Sequence, residues 1–181
     1  NYKNHQGFVL QGLTQVVANL DAKVTGGELE FAVVPVRGLN IELGVSALNT
    51  SVADVPLPSG VLRERKMPQA PDTSLNASVR YEWRALGGML SVGADGKWND
   101  KQFLELVGGA VDEEPAYAVT NARIAYRSGS GALEVAGVVR NLANRKYRVY
   151  NLDLSGPLGI NESVYAPPRT FNVELTYHWG K

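Results

Sequence analysis

Two stretches of the sequence bring basic and aromatic side chains together. Arg63 and Arg65 lie in one predicted loop, and Tyr147, Arg148 and Tyr150 begin another. Guanidinium groups pair with anionic groups, and aromatic rings beside arginine provide contact area that is typical of binding surfaces. We therefore predict that these five residues contact a ligand. For the two arginines of the first loop, ordinary solvation is an equally weighted alternative.

Other chemistry has little support in the sequence. The acidic run 112–114 offers carboxylates to a divalent cation, although a solvated charge cluster is the favoured interpretation. The sequence contains no cysteine, and His5 and His178 are far apart, so we expect no metal site, no cofactor and no enzyme activity. Basic and acidic residues number 18 each, which argues against a nucleic-acid partner.

The elements that position these residues are predicted from side-chain alternation. In the stretch 169–179, five apolar side chains fall on one face of a strand and polar ones on the other. Aromatic rings stand at both ends of the apolar face, an arrangement typical of a strand that crosses a bilayer. The apolar face consists of Phe171, Val173, Leu175, Tyr177 and Trp179.

Alternation of this kind recurs along the chain. The strand-like stretches are about 2–13, 21–34, 39–47, 75–83, 90–99, 121–127, 133–147 and 169–179. Many are about ten residues long, whereas strands of globular proteins usually have about five or six. A tilted strand needs about 9–11 residues to cross a membrane. No apolar run approaches the length of roughly 20 residues that a membrane helix needs.

The predicted connections alternate in length. Tight turns occupy 35–38, 85–88 and 128–131, whereas long loops occupy 51–72, 100–116 and 148–168. Short turns at one end and long loops at the other are typical of outer-membrane barrels. The sequence therefore predicts an all-β fold, an antiparallel up-and-down transmembrane β-barrel segment of about eight strands.

The second face of the predicted strands is charged. Burying such charges in a dry core is costly, so this face is expected to meet water or a wet lumen. A soluble sandwich or small barrel with its apolar faces turned inward is the alternative. The residues predicted to face the lumen are Arg80, Glu82, Asp95, Lys97, Arg123, Arg140 and Glu174.

Several motifs resemble those of one family. Gly27-Glu28-Leu29-Glu30 resembles a strand opening, 68–75 and 117–126 resemble entries into later strands, and Pro167-Pro168-Arg169 precedes the last strand. The stretch 141–147 resembles an Asn-Leu-x-Asn-x-x-Tyr signature. Together they resemble the C-terminal part of the barrel of TonB-dependent outer-membrane receptors. The residues that carry the signature and the chain ending are Asn141, Leu142, Asn144, Tyr147 and Arg169.

The resemblance implies a location, a function and partners. Residues 1–181 would be the C-terminal barrel portion of a receptor in the bacterial outer membrane, with the plug domain and the N-terminal strands outside this chain. The receptor would take up a scarce nutrient, with a ferric siderophore or a similar chelate as the expected cargo. Partners would be the lipid bilayer, the plug domain, the TonB system through the N-terminal part, and the barrel-assembly machinery through the last strand.

The end of the chain differs from the family pattern. Family barrels usually end on an aromatic residue, whereas Gly180 and Lys181 follow Trp179 here.

Two residues of the signature have an expected structural role. Asn141 and Asn144 are expected to satisfy backbone groups where the chain enters a loop, because short amides tolerate irregular backbone.

The alternatives for function are a free-standing small outer-membrane barrel with a structural or adhesive role, and a soluble β-barrel that binds an apolar ligand.

Overall fold

A computed structural model describes residues 2–11, 14–57, 59–107 and 109–179. Within these ranges the strands are β1 Tyr2–Gln11, β2 Thr14–Val33, β3 Leu39–Pro56, β4 Leu62–Arg65, β5 Thr73–Ala85, β6 Gly88–Asn99, β7 Gln102–Phe103, β8 Glu113–Glu114, β9 Tyr117–Arg127, β10 Leu133–Arg140, β11 Arg148–Leu154, β12 Ile160–Tyr165 and β13 Thr170–Tyr177. A short helix, α1, spans Ser155–Leu158, and a 3-10 turn spans Ala110–Asp112. The predicted strand end at Leu13 and the terminal Gly180 and Lys181 lie outside these ranges.

The main sheet confirms the predicted antiparallel, up-and-down architecture. Its strand order is β1-β2-β3-β5-β6-β9-β10-β13, and β4 pairs with the end of β3. The sheet is open, because within the described ranges β1 and β13 each have one neighbour. In the described part of the chain, no helix is long and apolar enough to cross a membrane.

The connections are sorted as predicted. At one end, β2–β3, β5–β6 and β9–β10 are joined by tight turns. The turn between β5 and β6 has Leu86 and Gly87 at φ angles of 52° and 73°, the backbone twist that favours a two-residue hairpin. At the other end, the longer connections fold into ribbons of their own, since β7 pairs with β8 and β11 pairs with β12.

Several predicted boundaries were wrong. β2 begins at Thr14 rather than at residue 21, because its first half pairs with β1. β3 continues to Pro56, through the predicted loop start at residue 51, because it gains β4 as a partner. The predicted loop 148–168 contains a hairpin. The strand predicted over 133–147 corresponds to β10. It ends at Arg140, because Asn141 takes a φ of 52° and turns the chain.

The last strand is shorter than predicted but keeps its two faces. β13 ends at Tyr177, and Trp179 follows in a turn. Its predicted apolar residues from Phe171 to Trp179 are between 52% and 87% exposed. The Tyr177 and Trp179 rings meet edge to face, with centroids 4.6 Å apart. The apolar face of this edge strand is therefore open to its surroundings.

The same exposure extends across the sheet. Cross-strand pairing places Leu29, Val45 and Leu75 side by side on one face, where they are 67%, 37% and 44% exposed. A soluble sandwich would bury such a face, whereas a membrane barrel turns it toward lipid. The buried apolar cluster lies instead at the end of the sheet where the long loops emerge, and it consists of Val9, Leu20, Ala22, Val52, Val55 and Leu106.

Candidate functional site

A polar row crosses the other face of the sheet at mid-height. Strand pairing aligns Glu42, Ser78, Asp95 and Asn121. The Ser78 hydroxyl donates to Glu42 Oε2 at 3.2 Å, and Asn121 Nδ2 donates to Asp95 Oδ2 at 2.6 Å. Together with Lys97 this row lines a recess of about 550 Å³. The recess combines acidic, amide and basic groups, which suits contact with a polar surface or solute.

A charged network lies nearer the tight-turn end of that face. Arg123 Nη2 lies 2.9 Å from Glu134 Oε1 and 3.6 Å from Glu174 Oε2. Arg127 Nη2 lies 2.8 Å from Glu134 Oε2. Each partly exposed pair contributes roughly 0–1 kcal/mol, so the network orients charge more than it stabilises the sheet. Glu134, which joins two arginines here, belongs to the charged strand face that alternation predicts to meet water or a wet lumen.

The remaining predicted lumen residues lie on this same face. Register places Arg80, Glu82 and Lys97 there with Asp95, and Arg140 aligns with the inward side of β13. Arg80 Nη2 lies 2.9 Å from Glu82 Oε2. The sheet thus gathers the predicted charges on one surface; contact of that surface with a plug domain stays a prediction.

The Asn-Leu-x-Asn signature forms a compact junction. Asn141 is 5% exposed, and its amide donates to the carbonyls of Arg145 at 2.9 Å and of Pro167 at 3.2 Å. Its Oδ1 accepts the Arg145 N–H at 2.8 Å. Asn144 Oδ1 accepts the Arg169 N–H at 3.0 Å. In these hydrogen bonds the side-chain amides satisfy backbone N–H and C=O groups, which is the role expected of them. The bonds join the start of the last loop to its end.

The other signature residues complete this junction. Arg169 Nη1 donates to the Leu142 carbonyl at 3.3 Å. The Tyr147 ring stacks on Tyr117, with centroids 4.3 Å apart, at the edge of the polar recess. Leu142 is exposed. The signature therefore fixes where the chain leaves β10 and where it enters β13.

The five predicted ligand contacts do not form one cluster. Arg63 is exposed on β4, whereas Arg65 is half-buried, and its Nε has no hydrogen-bond partner among the described residues. Tyr147 borders the recess, and Tyr150 lies against the loop after β7. Arg148 is engaged within the protein. For all five, contact with a ligand stays a prediction.

Arg148 joins two of the long loops. Its Nε donates to Glu114 Oε2 at 2.7 Å, and its terminal nitrogens donate to the carbonyls of Val111 and Glu113, each at 2.6 Å. The side chains of the ion pair are 16% and 6% exposed. A charge buried so deeply needs partners of this kind, because desolvation disfavours an isolated ion.

The acidic run is neither solvated nor arranged around a cation. Asp112, which is 2% exposed, accepts the Gly109 N–H at 3.1 Å and a hydrogen bond from Asn151 Nδ2. Lys101 Nζ lies 3.3 Å from Glu113, and Glu114 holds Arg148. Within the described ranges, no group of three or more metal-ligating side chains could hold a metal ion.

Two buried polar residues were missed because their partners are distant in sequence. Asn151 is fully buried; it donates to Asp112, and its Oδ1 accepts the Ser163 hydroxyl at 2.6 Å. Asn99 is 5% exposed and donates to the Tyr117 phenol at 3.1 Å. Asparagine is common in loops and turns, so the sequence alone gave no reason to select them.

A larger cavity of about 890 Å³ lies among the loops. Arg65, Glu105, Asp112 and Asp153 contribute its charged lining. Burial first, and then the charges of Asp112 and Asp153, raise the pKa of Glu105 from 4.5 to about 7, whereas a hydrogen bond from Tyr150 opposes the shift. Burial and the neighbouring Glu105 also raise the pKa of the Tyr150 phenol.

The chain is similar in structure to known proteins along nearly its whole length. No protein-family model and no curated protein sequence matches it. Several solved structures match it. The ferric yersiniabactin uptake receptor FyuA from Yersinia pestis has a TM-score of 0.76 and 16% identity; the match covers 90% of this chain and 24% of that one. The copper transporter OprC has a TM-score of 0.71 and 20% identity, and the match covers 97% of this chain and 26% of that one. The siderophore receptor PiuA from Acinetobacter baumannii has a TM-score of 0.68 and 19% identity, and the match covers 94% of this chain and 24% of that one.

The chain has the fold of part of a TonB-dependent receptor barrel. The match runs along nearly all of the chain and includes the open up-and-down sheet, as the motifs predicted. The chain spans about a quarter of the length of each of these receptors. TM-scores of 0.68–0.76 establish this fold, whereas identities of 16–20% leave the cargo to be proposed.

Proposed function

We propose that this chain is the C-terminal barrel portion of a TonB-dependent receptor that takes up a scarce nutrient across the bacterial outer membrane. The observation that carries the proposal is the division of one sheet into an exposed apolar face and a charged face. An apolar face at this exposure is stabilised by lipid, and a charged face by a wet lumen. Transport is the function that the names of the structural neighbours support for such a wall, since they include an uptake receptor and a copper transporter.

The open edges of the sheet support a larger barrel over a small free-standing one. Within the described ranges, β1 and β13 each pair on one side. An unpaired strand edge in a bilayer leaves N–H and C=O groups without partners, each at a cost of several kcal/mol. Additional strands of the same parent chain would satisfy them. In this arrangement β13 is the strand that the barrel-assembly machinery would engage.

The proposed cargo is a ferric siderophore or a similar metal chelate. The names of the structural neighbours support it, since they include a ferric yersiniabactin uptake receptor, a siderophore receptor and a copper transporter. Arg63, Arg65, Tyr147 and Tyr150 lie on the loop side of the sheet, where an incoming chelate would first meet the protein. Release would be driven by the TonB system acting on the plug domain through the N-terminal part.

The inner charges provide the test of this proposal. In cells that express the full-length receptor and are starved of iron, neutralising Arg80, Arg123 and Arg140 together to glutamine should alter TonB-dependent uptake of radiolabelled ferric chelates or retention of the plug. The physical reason is that Glu82 and Glu174 then keep their negative charges without the neighbouring cations, and Glu134 keeps Arg127 alone.

A matched control removes a charge elsewhere. Arg37 lies exposed in the turn between β2 and β3, and its replacement by glutamine should leave uptake unchanged. Unchanged transport and unchanged plug stability in the triple variant would count against contact between this wall and the plug. Uptake that continues without TonB would count against the proposed function itself.

A further inference from the structure

The apolar face of the sheet contains a shallow recess of about 480 Å³. Strand pairing across β6, β9, β10 and β13 places four of its lining residues in one row, namely Val92, Ile124, Gly137 and Val173. Val92 and Trp98 are separated by an even number of residues along β6, and Trp98 pairs with the exposed Leu75. Because side chains alternate between the two faces of a strand, the recess opens on the apolar face.

The recess exists because Gly137 has no side chain. On either side of it, Ile124 and Val173 are 53% and 83% exposed and project beyond the glycine backbone. A Cβ atom on Gly137 would lie 3.6 Å from Ile124 Cγ2, which is an ordinary van der Waals contact. The strand therefore has room for a larger residue at this position, and the glycine leaves that room open to the surroundings.

The surroundings of this face are lipid under the proposed function, on which this inference rests. Lipid tails are as apolar as the side chains of the recess, so contact between them depends on packing rather than on the hydrophobic effect. An unfilled recess forfeits dispersion contacts along its walls. A flexible acyl chain that lies in the recess restores these contacts, so the shape of this surface favours one bound chain.

A cationic group lies at the outer end of the recess. Arg169 Cζ is 5.8 Å from the centroid of the Phe171 ring, and Phe171 lines the recess beside Val173. Arg169 Nη1 donates to the Leu142 carbonyl at 3.3 Å. In the described part of the chain, no carboxylate forms an ion pair with Arg169, which is exposed. Its remaining N–H groups are therefore available to an anion, and the planar guanidinium matches the oxygens of a phosphate.

The position of this cation along β13 selects the leaflet. Arg169 directly precedes β13 at the end of the sheet that carries the long loops, whereas Tyr177 and Trp179 lie at the tight-turn end. In the proposed barrel the long loops face outward, so Arg169 lies level with the headgroups of the outer leaflet. We propose that the recess and Arg169 together bind one molecule of lipid A, the phosphorylated glycolipid of that leaflet. One acyl chain lies along Gly137, and a phosphate binds Arg169.

Photocrosslinking in the full-length receptor tests the proposal. p-Benzoylphenylalanine in place of Leu175 samples the lipid beside the recess, because Leu175 shares the apolar face and lies outside the recess lining. The same probe in place of Leu29 samples the apolar face on β2, away from the recess. In bilayers with equal amounts of lipid A and phosphatidylcholine, crosslinks at Leu175 should be enriched in lipid A about fivefold. Crosslinks at Leu29 should follow the bulk composition.

Matched variants separate the two parts of the site. Arg169→Gln should abolish the enrichment at Leu175, and Arg169→Lys, which keeps the charge, should retain most of it; Arg37→Gln, in the exposed β2–β3 turn, is the control. Gly137→Leu fills the recess and should lower the yield of lipid A crosslinks at Leu175 about threefold. Gly27→Leu adds the same side chain to the apolar face of β2, where nothing lies within 4 Å of the added Cβ, and should leave the yield unchanged.

Several results would overturn the lipid site. They are crosslinks at Leu175 that follow the bulk composition as those at Leu29 do, an effect of either variant no larger than that of its control, and enrichment of lipid A that persists after its phosphates are removed. Phosphatidylglycerol enriched as strongly as lipid A would overturn lipid A as the occupant. Crosslinks to no lipid at either position would overturn the proposed function as well, since the apolar face would then not lie in a bilayer.

Discussion

Replacing Arg148 with methionine should release the two loops that this residue joins. The change removes an ion pair to Glu114 and hydrogen bonds to the carbonyls of Val111 and Glu113. Glu114, 6% exposed in its side chain, would then be a buried charge without its partner. Breaking a buried pair from one side costs about 3–5 kcal/mol, so local opening should rise by at least about 100-fold.

Proteolysis on intact cells measures this opening. Proteinase K should cleave the 101–116 loop of the Arg148→Met variant far faster than that of the parent receptor. Arg63→Met is the matched control, because Arg63 is exposed on β4, and its cleavage rate should equal that of the parent. Adding Glu114→Leu to Arg148→Met should restore protection in part, since no unpaired charge remains. Equal cleavage of the Arg148→Met and Arg63→Met variants would contradict the account.

Replacing Asn141 with alanine should be the most damaging change within the signature. Asn141 combines a φ of 52° with hydrogen bonds from its amide to both ends of the last loop. Alanine adopts this backbone region at a cost of about 1–2 kcal/mol and leaves the partners at the loop ends unpaired at about 1 kcal/mol each. The amide makes three such bonds, so we expect a loss of about 4–5 kcal/mol in total.

A short series separates the two contributions. Asn141→Gly tolerates the positive φ and loses only the amide bonds, so its loss should be about 1 kcal/mol smaller than that of Asn141→Ala. The measurement is the urea midpoint of the full-length receptor in detergent, with heat-modifiable gel mobility as the folding readout. Leu142→Ala is the control, since Leu142 is exposed. An Asn141→Ala midpoint equal to that of Leu142→Ala would show that the junction contributes nothing.

The two-faced sheet could be predicted because its signal is local. Alternation from Phe171 to Trp179 assigns each side chain to a face whatever the rest of the chain does. The lengths of the connections likewise predicted which end of the sheet carries the long loops. These two local features were enough for the fold class and for the set of charges that share the inner face.

The loop architecture could not be predicted, because it depends on contacts between distant residues. Arg148 was predicted as a ligand contact, yet its ion-pair partner lies 34 residues away in another loop. β10 ends at Arg140 because of one backbone angle at Asn141, which hydrophobic alternation does not encode. Glu105 shares the cavity lining with Asp153 of another loop, a proximity that depends on how the loops fold.

One face of the sheet should lie against lipid and the other against water. Nitroxide labels at Val79 and Ser78, which are consecutive on β5 and point to opposite faces, distinguish the two environments. In the full-length receptor in bilayers, we expect a label at Val79 to be reached by oxygen and not by a water-soluble nickel reagent. A label at Ser78 should show no such preference for oxygen. A Val79 label that neither reagent reaches would mean that the apolar face is buried inside a protein core, and it would contradict the barrel account.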